Sequence, residues 1–125
     1  MIFAKTAFSA VTADWYRMKI FIEQAAGFSH DAIHVLVGGL GPLVFAFLTR
    51  RTVASWFPWL GMLALILFNE AVDLAVERWP DRMMQYGDGA KDILLTMALP
   101  TVLLVTARLI PQIYAKGAKR RFGKG

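Results

Sequence analysis

The chain has 125 residues, 57% hydrophobic and 18% charged, with 14 Lys and Arg against 9 Asp and Glu for a net charge of +5, and its mean hydropathy is +0.48. A soluble domain of this size needs more polar surface, and no polar face recurs at helical period inside its apolar blocks, which argues against a soluble three-helix bundle. Cysteine is absent, which removes disulfide and thiolate chemistry.

The opening "MIFAKTAFSA" lacks the basic start and long apolar run of a secretory signal. Residues 13–27, "ADWYRMKIFIEQAAG", predict an amphipathic helix, with Trp15, Met18, Ile22 and Ala25 recurring at three- and four-residue spacing. Such a helix either lies in a membrane interface or packs against a bundle, and the pattern supports both equally.

Three blocks then follow that are free of Asp, Glu, Lys and Arg: 32–49, 52–69 and 93–107. A bilayer span takes roughly 20 mainly apolar residues. The expected fold is therefore all-α, an integral membrane protein whose single domain, 1–115, has spans near 31–49, 53–76 and 92–114. Gly38, Gly39, Gly41 and Pro42 in the first span suit close helix approach and a kink. "TRRT" at 49–52 reads as a tight connection, and Trp56, Trp59 and Trp79 suit anchors at the two interfaces. Pro80 and Gly87-Asp88-Gly89 predict a loop before the third span. The tail, 116–125, is basic and reads as disordered and in contact with anionic lipid; no nucleic-acid motif accompanies it.

The second span ends in "NEAVDLAVER". At about 100° per residue, Ile66, Asn69, Glu70, Asp73 and Glu77 share one sector of roughly 100°. Ionisable groups at membrane depth cost at least a few kcal/mol each, so they face a bundle interior, a partner or water. One reading is a site for a divalent cation, a phosphate or a lipid headgroup, since carboxylate oxygens suit Mg²⁺ or Ca²⁺. The other is a solvated helix end paired with Arg78, Arg82 and Lys91. His30 and His34, four residues apart, share a face at the start of the first span; that spacing suits either metal ligation or interfacial hydrogen bonding.

The stretch "NEAVDLAVER…GDGAKD" resembles the bacterial integral-membrane diacylglycerol and undecaprenol kinases over about residues 66–100. Asn69 matches the family's asparagine, Asp73 stands at its metal-binding acid, Glu77-Arg78 match its acid-Arg pair, and Ala90-Lys91-Asp92 match the motif that opens its third span. The resemblance implies three spans, a surface helix, trimeric assembly, and Mg²⁺ and ATP as cofactors. The family's catalytic glutamate falls at Ile66; in a kinase, Glu70, one turn away, would have to replace it. On this likeness a lipid or phosphate site comprises Asn69, Glu77, Arg78, Lys91 and Asp92, and a metal site Asp73, with His30 and His34 as further candidates. A shorter likeness, an early histidine and an Asp-started helix, is to VanZ-like membrane proteins.

With three spans, all nine acids lie on one side with six basic residues, and the other side carries eight basic residues and no acid. Lys and Arg favour the cytoplasmic side. The expected placement is the inner membrane, multi-pass, with the C-terminus cytoplasmic and the acidic segment outside, away from ATP. The expected function is a non-catalytic lipid-binding protein or an accessory subunit that packs against other transmembrane subunits, as a homo-oligomer or in a larger complex. The alternatives are a Mg-ATP-dependent lipid kinase and a VanZ-like protein.

Overall fold

The computed structural model describes residues 2–115, and all of its regular structure there is helical. The basic tail lies outside the described residues. The order is α1 (Ile2–Ala26), α2 (His30–Thr49), α3 (Trp56–Val76), α4 (Arg82–Leu109) and the short α5 (Pro111–Ala115). Three of these, α2, α3 and α4, are long and apolar enough to cross a membrane, at 20, 21 and 28 residues.

Local chemistry sets the ends. Ser29, Ser55 and Asp81 are N-caps whose side-chain oxygens accept from the backbone N–H of Ala32, Phe57 and Met83. Pro58 sits in the first turn of α3, where its missing N–H leaves no bond unmade. Helix α4 breaks at Ile110, just before Pro111, so the third long helix ends at Leu109 and not near 114.

Two further expectations are corrected. Helix α1 starts at Ile2 rather than near 13. Gly87-Asp88-Gly89 is not a loop: α4 begins at Arg82, ten residues before the expected third span. Neither glycine takes a positive φ. Gly89 instead permits close approach, since a Cβ there would lie 2.7 Å from Glu70 Oε2. The turn is confined to residues 77–81.

Pairings across the bundle fix its directions. His30 meets Asp92 and His34 meets Thr96, so α2 and α4 run parallel. Trp59 reaches Thr101 while Gln85 reaches Asp73, so α3 runs against α4. Trp15 bonds Asn69 and Lys19 bonds Asp73, so α1 follows α3 in the same direction. Helix α1 thus packs against the bundle through Trp15 and Lys19, while Phe8, Val11, Met18, Phe21 and Ile22 remain exposed on it.

The apolar core lies between α2, α3 and α4. Met62 (0% exposed), Ile66 (4%) and Met97 (8%) form its centre, with Phe45, Trp59 and Ile93 packed around them. The tightest crossing is at Gly38. Pro100 has no N–H to give the carbonyl four residues back, which is that of Thr96. Gly38 packs its Cα against this freed oxygen, and a Cβ would overlap it. The outer faces carry large exposed apolar side chains, among them Leu40, Phe47, Leu48, Leu67, Leu94 and Leu109.

Candidate functional site

The polar residues gather where α2 and α4 begin, α3 ends and the second half of α1 passes. Asn69 is the hub on α3. Its Oδ1 accepts from Trp15 Nε1 at 3.1 Å, and its Nδ2 donates to Glu70 Oε1 and to Asp73 Oδ2, both at 3.2 Å. Asp73 Oδ2 also takes Lys19 Nζ at 2.5 Å. The other oxygen of Asp73, Oδ1, is buried without a hydrogen-bond partner. Gln85 of α4 closes the end of α3 by donating to the carbonyls of Asp73 and Glu77. The Asp73 carbonyl also accepts from the backbone N–H of Glu77 at 2.8 Å, so Gln85 adds a second donor there and gives one to the Glu77 carbonyl beyond the helix end.

A second cluster joins α2 to α4. His30 Nε2 lies 2.9 Å from Asp92 Oδ2, and His34 Nε2 lies 3.4 Å from the same oxygen. The two Nε2 atoms are 3.2 Å apart. Behind them, His30 Nδ1 faces Glu23 Oε1 of α1 at 2.6 Å and His34 Nδ1 faces Thr96 Oγ1 at 2.8 Å. Asp92 is 2% exposed, and its Oδ1 has no hydrogen-bond partner.

These clusters border a cavity of roughly 300 Å³ whose acids are Asp31, Glu70, Asp73, Glu77, Asp88 and Asp92. The basic side chains beside them are His30 and Lys91, and Lys91 is already paired with Asp31 at 2.9 Å and Asp88 at 2.8 Å. Negative charge is therefore in excess. The exposed Lys91 pairs are screened by solvent, contribute little to stability and mainly shape the cavity mouth. At the α3 end, Glu77 accepts from Trp79 Nε1 at 2.8 Å. Burial, and then the Glu77 carboxylate beside it, raise the Tyr16 phenol above its ordinary value, so Tyr16 stays protonated there.

A second cavity of roughly 230 Å³ opens between α1 and the bundle, with an almost wholly apolar lining that includes Trp15, Met18, Ile22, Ile33, Val37 and Leu65. The wall between the two is polar. Asp73 and His30 line the acidic cavity, while their partners Lys19 and His34 line the apolar one.

Of the residues expected at a site, Asn69, Glu70, Asp73, Asp92, His30 and His34 come together, and Glu77 and Lys91 stand at the margin. Arg78 is exposed and does not line the cavity. Asp73, expected at a metal, is bound to a lysine. Ile66, at the kinase glutamate position, is buried in the apolar core. Sequence reasoning missed Trp15, Lys19 and Glu23 as site residues. Their four-residue spacing is the signal that marks them, because it places three polar-capable side chains on one face of α1. Gln85 and Thr96 carry no local signal. Comparison with protein-family models, curated proteins and solved structures finds no match.

Proposed function

We propose that this chain is a multi-pass membrane protein that binds a lipid, with the headgroup in the acidic cavity and an acyl chain in the apolar one. The observation that carries this reading is the juxtaposition of the two cavities across the Lys19–Asp73 and His30–His34 pairs. Pockets with one apolar lining and a few convergent polar groups bind amphiphiles. The excess of carboxylates selects a headgroup that brings positive charge, as an ammonium group or with a bound cation, because a bare phosphate would be repelled. The exposed apolar faces of α2, α3 and α4 then meet bilayer hydrocarbon.

The likeness to the diacylglycerol and undecaprenol kinases is read as a shared lipid-site layout without the phosphoryl transfer. Ile66 can neither accept a proton nor hold a metal, and Met62 and Met97 surround it.

The test is native mass spectrometry of the protein released from membranes in mild detergent. Wild-type protein should retain a lipid. Val37→Trp, which fills the apolar cavity, should lose it while keeping its helical spectrum. Equal retention by the two proteins would defeat this assignment.

Within the inner membrane, the C-terminus and the Arg50-Arg51 turn lie on the cytoplasmic side and the acidic cavity on the other. Arg50, Arg51 and Arg108 mark the end of the bundle opposite the cavity, and no acid accompanies them. A reporter active only outside the cytoplasm, fused after Gly125, should be silent. Strong activity would reverse the orientation.

A further inference from the structure

We propose that His30, His34 and Asp92 hold one divalent transition-metal ion, Zn²⁺ by preference, whose remaining coordination position opens into the acidic cavity. This inference is independent of what lipid, if any, occupies the cavities.

The tautomers carry the argument. Glu23 Oε1 can only accept, so the proton between it and His30 sits on His30 Nδ1. With His30 neutral, as a metal ligand must be, its Nε2 lone pair points at Asp92 Oδ2 from 2.9 Å. His34 repeats the arrangement: with Nδ1 donating to Thr96 Oγ1, its Nε2 lone pair meets the same oxygen and the Nε2 of His30. One donor atom from each of the three residues thus converges on one point, and with both imidazoles neutral a bound cation is what makes that arrangement stable.

The spacing matches a metal and not merely a proton. Zn²⁺ binds nitrogen and oxygen at about 2.0–2.1 Å in tetrahedral geometry, which sets ligand atoms about 3.3 Å apart. The three separations here are 2.9, 3.2 and 3.4 Å. A single proton on His30 Nε2 would account for the 2.9 Å contact with Asp92, whereas one metal ion accounts for all three.

Two further features point the same way. Asp92 is almost fully buried, yet its Oδ1 has no hydrogen-bond partner. A buried carboxylate oxygen left bare is costly unless a cation neutralises the group. Glu23 and Thr96 stand behind the imidazoles as outer partners of the kind that fix the ring orientation of metal-bound histidines. Two histidines and a carboxylate with one open position is also the donor set of catalytic rather than structural zinc. Glu70 lines the cavity onto which that position opens.

The full chain in detergent micelles is stripped with a chelator, re-equilibrated with Zn²⁺ and measured for bound metal, then loaded with Co²⁺ for visible absorption. Wild type should take up one ion per chain, give the intense visible bands of tetrahedral Co²⁺, and unfold at a higher temperature with Zn²⁺ than without it. Asp92→Asn and His34→Gln should lose the ion. Glu23→Gln, which touches no metal, should keep it with affinity weakened by about 10–100-fold. Asp14→Asn, at an exposed carboxylate away from the cavity, should bind as wild type does. If Asp92→Asn does not fold, X-ray absorption of the zinc-loaded wild type decides: scattering from two imidazoles supports the site, and its absence overturns it. No stoichiometric uptake by folded wild type, or undiminished uptake by folded His34→Gln, also overturns it.

Discussion

Gly38→Ala should be the most damaging single-methyl change in the bundle, destabilising it by about 3 kcal/mol, the upper end of overpacking effects. The added Cβ would fall on the carbonyl oxygen of Thr96, with the carbonyl carbon and Cα close behind. These are backbone atoms of a helix, so no rotamer change relieves the overlap, and α2 must move away from α4. Pro100 offers that carbonyl no N–H within its own helix. His34 lies one turn before Gly38 and Asp92 one turn before Thr96, so separation at the crossing pulls the histidines off the carboxylate. Gly38→Ala should therefore lower the midpoint of thermal unfolding in micelles and weaken Zn²⁺ uptake together. Gly39→Ala is the control. Its Cβ meets only Leu99 Cδ1 at 3.2 Å, and Leu99 is partly exposed and free to shift. That variant should lie within about 0.5 kcal/mol of wild type, as surface changes do. Equal midpoints for the two variants would show that the crossing is looser than this contact implies.

The same crossing explains what the sequence could and could not disclose. Charge-free blocks located α2, α3 and α4, because apolar length is a local property, and the sector of Asn69, Glu70, Asp73 and Glu77 marked one end as polar. The partners of those residues were beyond local reading. Asn69 bonds Trp15 and Asp73 bonds Lys19, each across 54 residues. His30 meets Asp92 across 62. Such pairings depend on the depth at which helices cross, and that depth is set by Gly38 against Thr96 and by Gly41 against Met62. The glycines at 87 and 89 misled for a related reason. A glycine pair flanking an aspartate has the composition of a turn, but Gly89 lies inside α4 where the Glu70 carboxylate approaches it. Composition cannot distinguish a glycine that bends the chain from one that admits a neighbour.

Lys19→Met should destabilise the protein by about 3–5 kcal/mol, the range for breaking a buried ion pair from one side. Both side chains are mostly shielded, at 14% and 12% exposed. Removing the ammonium leaves the Asp73 carboxylate with a single donor, Asn69 Nδ2, and with Oδ1 still bare. Asp73→Leu should do less harm, because the long lysine stem can carry its charge out to water once its partner is gone. The double variant Lys19→Met/Asp73→Leu removes both charges and puts two apolar side chains where they stood. It should recover most of the loss, giving a coupling of about 1–3 kcal/mol in a double-mutant cycle. This pair also holds α1 over the apolar cavity, since Lys19 lines it and Asp73 lines the acidic one. Lipid retention should therefore fall in Lys19→Met and return in the double variant, which restores the docking of α1 without restoring charge. Additive effects in the cycle would mean that the ion pair contributes nothing as a pair. If retention instead stays lost in a double variant that has regained its stability, the charges themselves contact the headgroup, and the acidic cavity reads its ligand through Asp73 rather than merely being closed by it.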